Sequence, residues 1–324
     1  MLRIIYMGTP QFAVPALEAL IAGSKPGQVL EEGYEIVTVI TRPDKPSGRG
    51  KEIIYSPVKQ LALSQGLHVW QPGSLKRQEN IDALAAFQAD LYIVAAFGQI
   101  LPQAVLDLPS YGTLNIHASL LPQYRGVSPI SASILQGDPE TGVTIMLIDA
   151  GVDTGPILLQ RTTPIAEDDT TGSLTARLAA LGASALLEAL PLWVQGKITP
   201  QPQDDRLASH THMLRKEDGK IDWSLPAVVL ARTVRAFTPW PGAYTLWGNR
   251  LLKIVSAHAI QPTQTTESTI GTVRLYKEDG RQMLAITTGN SLLAVEKLQL
   301  EGKKVMNADE FLRGYAQIVG VTLG

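Results

Sequence analysis

Hydrophobic and polar positions along the first 200 residues alternate between two periods. Leu2–Met7 is a short apolar run ending in Gly8, and Tyr34–Thr41 is a β-branched run. Both have the length and make-up of strands. Asp90–Phe97, Gly112–Ile116 and Val143–Ile148 are three more, each nearly all apolar. Gln11–Ala22, Ser56–Gly66 and Pro129–Leu135 show helical spacing between them. Pro10 stands at a first-turn position, and Ser56 ahead of Pro57 reads as a helix cap. Thr171–Gln195 is a long helix, rich in alanine and leucine, that ends near Gly196. Apolar strands alternating with helices predict an α/β domain, a Rossmann-like and mostly parallel sheet covered on both faces. Ligands of such sheets bind beyond the carboxyl ends of the strands.

The pattern changes after Ile198–Leu207, a polar stretch with two prolines that reads as a linker. Pro226–Ala236 is one helix. Five short β-like runs follow: Ala243–Trp247, Leu251–Ala257, Gly271–Tyr276, Gln282–Thr288 and Leu292–Leu298. Turns such as Gly248-Asn249 and Gly289-Asn290 separate them, and a short helix is expected near Ala308–Tyr315. Runs of this length and spacing predict a small antiparallel, OB-like β-barrel. The expected organisation is a catalytic domain over 1–197, a linker over 198–208 and a barrel domain over 209–324.

Composition narrows the chemistry. The 324 residues are 45% hydrophobic and 18% charged, an ordinary soluble globular balance. There is no cysteine, which excludes disulfides, thiolate zinc sites and cysteine nucleophiles. No run reads as a membrane span or a signal peptide, so a cytoplasmic location is expected. The net charge of −2 hides an asymmetry: residues 209–324 hold 14 Lys and Arg against 10 Asp and Glu. A basic second part suits a polyanionic partner, although a chance fluctuation on a solvated surface would look the same. The first strand–helix turn, Met7-Gly8-Thr9-Pro10-Gln11-Phe12, lacks the G-x-G-x-x-G fingerprint. Pro10 also removes an N–H that could have met a phosphate, which disfavours a dinucleotide cofactor.

The candidate chemistry lies at strand ends. Asn115 and His117 close one apolar run, and Asp153 follows His117 by 36 residues, after another. Alone, a His after a strand is usually structural, and an Asn or Asp there usually forms a turn. Placed together at two carboxyl ends of one sheet, they form an amide, an imidazole and a carboxylate able to activate a carbonyl without metal or covalent nucleophile. Asn115 and His117 would donate to the oxygen on which charge builds. Asp153 would orient the imidazole and help remove a proton from the attacking amine. Ser119 is a weaker nucleophile candidate, because it lacks the G-x-S-x-G elbow.

Three loops supply possible walls. Ser119-Leu120-Leu121-Pro122 offers apolar and backbone groups to a flat heteroaromatic ligand, and Phe97-Gly98 could form the opposite wall. Arg42–Lys51 carries Arg42, Lys45, Arg49 and Lys51 with one carboxylate, Asp44, and is a candidate contact for a phosphate backbone. Each has a plainer reading as well: a packed surface loop, a helix start and a solvated loop.

At these residues the chain resembles the 10-formyltetrahydrofolate-dependent formyltransferase family. Asn115-x-His117, Ser119-Leu120-Leu121-Pro122 and Asp153 carry the resemblance. It implies 10-formyltetrahydrofolate as the formyl donor, with its pteridine end beside the Ser119–Pro122 loop, and catalytic roles for Asn115, His117 and Asp153. It does not fix the acceptor. Gly8-Thr9-Pro10, the Arg42–Lys51 loop, Tyr124-Arg125-Gly126, Glu140-Thr141-Gly142-Val143-Thr144-Ile145-Met146, Ile221-Asp222-Trp223-Ser224 and Arg235-Ala236-Phe237 with Pro239-Trp240-Pro241 look like the branch whose acceptor is methionyl initiator tRNA. That branch implies formyl transfer to the methionine α-amino group for translation initiation, no metal, a monomer, no membrane, and tRNA contacts through the basic loop, Arg49 foremost, and the barrel. A sugar-amine formyltransferase and a non-catalytic nucleic-acid-binding protein are the alternatives. Ala118 stands where family members often have Gly, and Gln123 where a basic residue is common.

Overall fold

The apolar runs of the first part form one sheet, and the computed structural model describes residues 1–47, 52–261, 269–278 and 281–324. In chain order the elements are β1 (Leu2–Gly8), α1 (Val14–Ala22), β2 (Tyr34–Ile40), β3 (Lys45–Ser47), β4 (Glu52–Ile54), α2 (Pro57–Ser64), β5 (Val69–Trp70), α3 (Gln78–Ala85) and β6 (Leu91–Ala95). Then come α4 (Gln103–Leu106), β7 (Thr113–His117), β8 (Arg125–Gly126), α5 (Pro129–Gln136), β9 (Glu140–Leu147), β10 (Ile157–Pro164), α6 (Thr171–Val194) and β11 (His210–Thr211). The main sheet has seven strands in the order β10-β9-β7-β6-β1-β2-β5. Its β7, β6, β1, β2 and β5 strands run parallel, as expected of apolar strands covered on both faces. Ser56 caps α2 as its position implies, accepting the Lys59 N–H at 3.2 Å.

Two strands run the other way. β9 is antiparallel to β7, with Leu114 opposite Leu147 and His117 opposite Thr144, and β10 is antiparallel to β9. The carboxyl end of β9 therefore lies beside the amino half of β7. This corrects the expectation that Asn115, His117 and Asp153 leave two carboxyl ends on one edge. An apolar run is equally buried in either direction, so its composition holds no information about which way it points. β10 itself, with Gln160, Arg161 and two threonines, was too polar to read as a strand.

Register decides which side chains share a face. Ile5, Met7, Tyr92 and Val94 pack with Ile81 and Leu84 of α3 and Val105 and Leu106 of α4 in one apolar cluster. Asn115 pairs with Val94, and His117 pairs with Thr144, so alternation sends Ile116 to the opposite face. There α6 covers it: a Cβ on Gly182 would lie 2.7 Å from Ile116 Cγ2. By length and composition α6 could cross a membrane, but Leu178, Leu186 and Leu190 are fully buried, as in a core helix of the sheet.

The chain forms two compact units. One comprises Met1–Pro129, Glu140–Pro164 and Thr175–Thr211; the other comprises Ile130–Pro139, Ile165–Leu174 and His212–Gly324. The segment read as a linker is no free tether. Gln201 exchanges two backbone hydrogen bonds with Ile157, each 2.8 Å, and β11 pairs with β8. Its composition resembles a linker, but the Gln201 backbone and the Gln203 side chain are hydrogen-bonded to the body of the first unit.

The second unit holds α7 (Ala227–Ala236), β12 (Ala243–Trp247), β13 (Arg250–Ile260), β14 (Val273–Glu278), β15 (Arg281–Thr287), β16 (Leu292–Leu300), β17 (Met306–Asn307) and α8 (Ala308–Tyr315). These strands form an antiparallel sheet in the order β12-β13-β16-β15-β14, with β17 against β16. Leu252, Ile254, Leu284, Ile286, Leu298 and Phe311 are among its core residues. The two excursions from the first part of the chain join it by hydrogen bonds: Arg232 to the Gln136 carbonyl (3.2 Å), Thr171 to the Ala236 carbonyl (2.6 Å) and Arg235 to the Asp169 carbonyl (2.9 Å).

Gly182→Val should destabilise the chain by about 1–3 kcal/mol, because a branched side chain must displace Ile116. A lowered midpoint in urea unfolding of the full chain checks it; an unchanged midpoint would mean the helix can retreat at no cost.

Candidate active site

β7 presents Asn115 and His117 two residues apart, hence on one face. Asn115 is half-buried, and among the described residues its side-chain amide has no hydrogen-bond partner. His117 is buried, 6% exposed, and its Nε2 lies 3.0 Å from the Tyr124 carbonyl oxygen. A carbonyl can only accept, so Nε2 carries the proton in that contact. Nδ1 faces Asp153 Oδ2 across 3.6 Å. That separation exceeds a hydrogen bond, and with the Nε2 proton given to Tyr124 a neutral ring has Nδ1 bare, so Nδ1 donates only when the ring carries a second proton.

Asp153 reaches this position through a folded-back loop. The loop opens with Asp149, whose Oδ1 accepts from Gly151 N at 3.0 Å and from the Thr154 hydroxyl at 2.6 Å. At Gly155 a Cβ would lie 1.9 Å from the Leu147 carbonyl oxygen, so only glycine lets the chain double back against β9. Asp153 itself has φ 54°, in the left-handed region. Its Oδ2 accepts the Gly126 N–H at 2.8 Å. The three residues picked out in the sequence thus converge, with the carboxylate arriving over the face of the sheet.

The Ser119–Pro122 loop is pinned by side chains that sequence reading missed. Thr144 pairs with His117 and with Gln160 across two ladders, which puts all three on one face. The Thr144 hydroxyl donates to the Ser119 carbonyl at 2.7 Å and accepts the Leu121 N–H at 3.1 Å. Gln160 donates to the Leu121 carbonyl at 2.9 Å. Only the cross-strand register brings these residues together. Ser119 is fully buried and its hydroxyl donates to the Gln123 carbonyl at 2.6 Å, while Leu121 is 3% exposed. Leu120 and Pro122 are half-buried.

Phe97 turns inward. It is 2% exposed and belongs to the apolar cluster, so of the expected wall only Gly98 is exposed. Gly98 instead borders a cavity of about 510 Å³ that includes Arg42, Lys45, Ser74, Lys76 and Gln99 in its lining. These residues follow the carboxyl ends of β2, β5 and β6, where an open α/β sheet binds ligands. The neighbouring carboxylate does not cancel the cations. Burial pushes the Asp44 carboxyl up, but hydrogen bonds from Lys59 and Gln71 outweigh it and hold the group below the usual range. Lys76 had no sequence signal, because it lies far from the basic loop. Arg49 and Lys51 lie outside the described residues.

Comparison with known proteins narrows the identity. The family described as Formyl transferase matches residues 2–190, and its C-terminal domain matches residues 213–316. The methionyl-tRNA formyltransferase of Citrifermentans bemidjiense is 43% identical over 100% of this chain and 96% of its own length. That of Roseiflexus castenholzii is 46% identical, over 100% and 99% respectively. The fold is also that of an N-formyltransferase from Helicobacter canadensis solved with folinic acid and dTDP-3-aminofucose (TM-score 0.60, 20% identity, covering 91% of this chain and 99% of that one). Similarity at this level over both parts of the sequence means that the chain belongs to the methionyl-tRNA formyltransferase family.

Proposed function

We propose that this chain transfers the formyl group of 10-formyltetrahydrofolate to the α-amino group of methionine on initiator tRNA, acting in the cytoplasm as a monomer. The product is N-formylmethionyl-tRNA for translation initiation. The observation that carries the reading is the convergence of the Asn115 amide, unpartnered among the described residues, with the His117 ring and the Asp153 carboxylate, in a chain of this family.

The chemistry follows from what each group can do. The amine attacks the formyl carbon, a carbon–nitrogen bond forms, and charge builds on the formyl oxygen. The Asn115 amide and, in the doubly protonated ring, the His117 Nδ1–H are donors for that oxygen, each worth about 3 kcal/mol. Asp153 supports charge on the imidazole and takes part in removing the amine proton. The bond to N10 of the donor then breaks, and N10 leaves with a proton. The α-amino group of an aminoacyl ester loses its proton more readily than a side-chain ammonium, so it can arrive neutral.

Leu120, Pro122 and the exposed Gly98 backbone are the surfaces left to the folate. For the acceptor, Arg42, Lys45 and Lys76 place three cations around one cavity, a fit to phosphodiesters. The C-terminal residues 209–324, with 14 Lys and Arg against 10 Asp and Glu, are a further candidate contact for the tRNA.

Asn115→Ala and His117→Ala should each lower turnover about 10²- to 10³-fold with little change in tRNA affinity. Near-parental turnover in either variant would remove that residue from the oxyanion role. Ser119→Ala should reduce stability by about 1 kcal/mol yet keep most activity, whereas loss of a nucleophile would lower turnover on the order of a million-fold. Arg42→Ala and Lys76→Ala should each weaken tRNA binding and shrink the log–log salt slope by about one, as titrations between low and moderate salt will report. Formyl transfer offered charged initiator tRNA, a nucleotide sugar or neither should proceed with the tRNA alone; transfer to the sugar would overturn the acceptor.

A further inference from the structure

We infer that Gln203 is a positioning residue for formyl transfer. Its side-chain amide, clamped by the buried Arg125, holds the loop that aims Asp153 at His117. The inference rests on the catalytic reading of Asp153 given above.

The Gln203 amide has a fixed orientation. Its Nε2 donates to the Asp153 carbonyl at 2.9 Å and to the Gly155 carbonyl at 2.7 Å. Its Oε1 accepts from Arg125 Nε at 3.1 Å and Nη2 at 2.9 Å. Carbonyls only accept and a guanidinium only donates, so no flipped amide satisfies both sides. One amide therefore straddles the loop on either side of Thr154 and ties it to Arg125.

Arg125 is 3% exposed, and its Nη2 also donates to Asp205 Oδ1 at 2.7 Å. Its chain neighbours hold the reacting side chains: the Tyr124 carbonyl accepts from His117, and the Gly126 N–H donates to Asp153. Tyr124 N and Arg125 N are fixed in turn by the Ser209 hydroxyl (2.8 Å) and the Ser209 carbonyl (2.9 Å). His117 and Asp153 are thus registered to each other by a short frame whose outer side is the segment 203–209.

The need for the frame lies in the backbone. Asp153 has φ 54°, a conformation that L residues other than Asn and Asp rarely adopt and that persists when neighbours over-determine it. Without the two bonds from Gln203, the Asp153 peptide can relax and swing the carboxylate off Nδ1. A misplacement of about 1 Å is enough to slow a positioned reaction about a hundredfold. The Glu that replaces Gln203 in the test keeps an acceptor for Arg125 and removes the donor to the loop. It separates support of the fold from support of Asp153.

The test compares Gln203→Glu, Asp153→Asn and the double variant, using the full chain, 10-formyltetrahydrofolate and charged initiator tRNA. Gln203→Glu should lower kcat about tenfold to a hundredfold, with both KM values within about threefold and the chain still folded at the assay temperature. In single-turnover assays, adding it to Asp153→Asn should lower the rate by less than about threefold, because the two act through one carboxylate. Unchanged kcat in Gln203→Glu beside a crippled Asp153→Asn would overturn the inference alone. A further tenfold loss in the double variant would do the same. An Asp153→Asn protein with parental turnover would overturn the reading of Asp153, and this inference with it. If Gln203→Glu melts early, Gln203→Met fills the same space without charge and is judged by the same outcomes.

Discussion

Everything at this site depends on holding a carboxylate in a place its strand does not lead to. β9 delivers the chain beside the amino half of β7, whereas the Asp153 carboxylate lies 3.6 Å from His117 Nδ1. The loop after β9 makes up the difference by doubling back, with Gly155 against the Leu147 carbonyl and Asp153 in a left-handed conformation. A conformation of that kind is not self-supporting. The Gly126 N–H on the carboxylate and the Gln203 amide on the carbonyl hold the residue from outside.

The sheet divides its labour by face. One side of β7 is given to packing, with Ile116 against Gly182 of α6. The other side carries Asn115 and His117, and the row His117, Thr144, Gln160 crosses three adjacent strands. Thr144 and Gln160 spend their polar groups on the backbone of the Ser119–Pro122 loop. The face that carries Asn115 and His117 is therefore also the face that anchors the Ser119–Pro122 loop, and the alternation of a pleated strand keeps it apart from the packing face.

Much of this was legible in the sequence, and the limits have physical causes. Periodicity is local, so β1, β2, β6, β7, β9, α1, α2, α5 and α6 could be read directly, whereas α3 escapes such a reading and α4 and the shortest strands hold too few residues to show a period. Direction and register are not local. The antiparallel turn of β9, the strand β10 and the roles of Thr144 and Gln160 appear only when strands are laid side by side. Phe97 was expected at a ligand and lies in the core, because an aromatic after a strand serves either purpose. The stretch 198–208 shows how composition can mislead: its glutamines, aspartates and prolines match a tether, yet Gln201 and Gln203 are docked on the first unit.

The docked segment also bears on the order in which the molecule is made. Asn115, His117 and Asp153 leave the ribosome early, but the groups that register them, Gln203 and Ser209, lie 50 residues and more beyond Asp153 in the chain. The first family match stops at residue 190, short of both. During synthesis there is thus an interval in which Asn115, His117 and Asp153 have been made and the contacts that register them have not. A chain released in that interval would lack those contacts, because they are among its most distant in sequence.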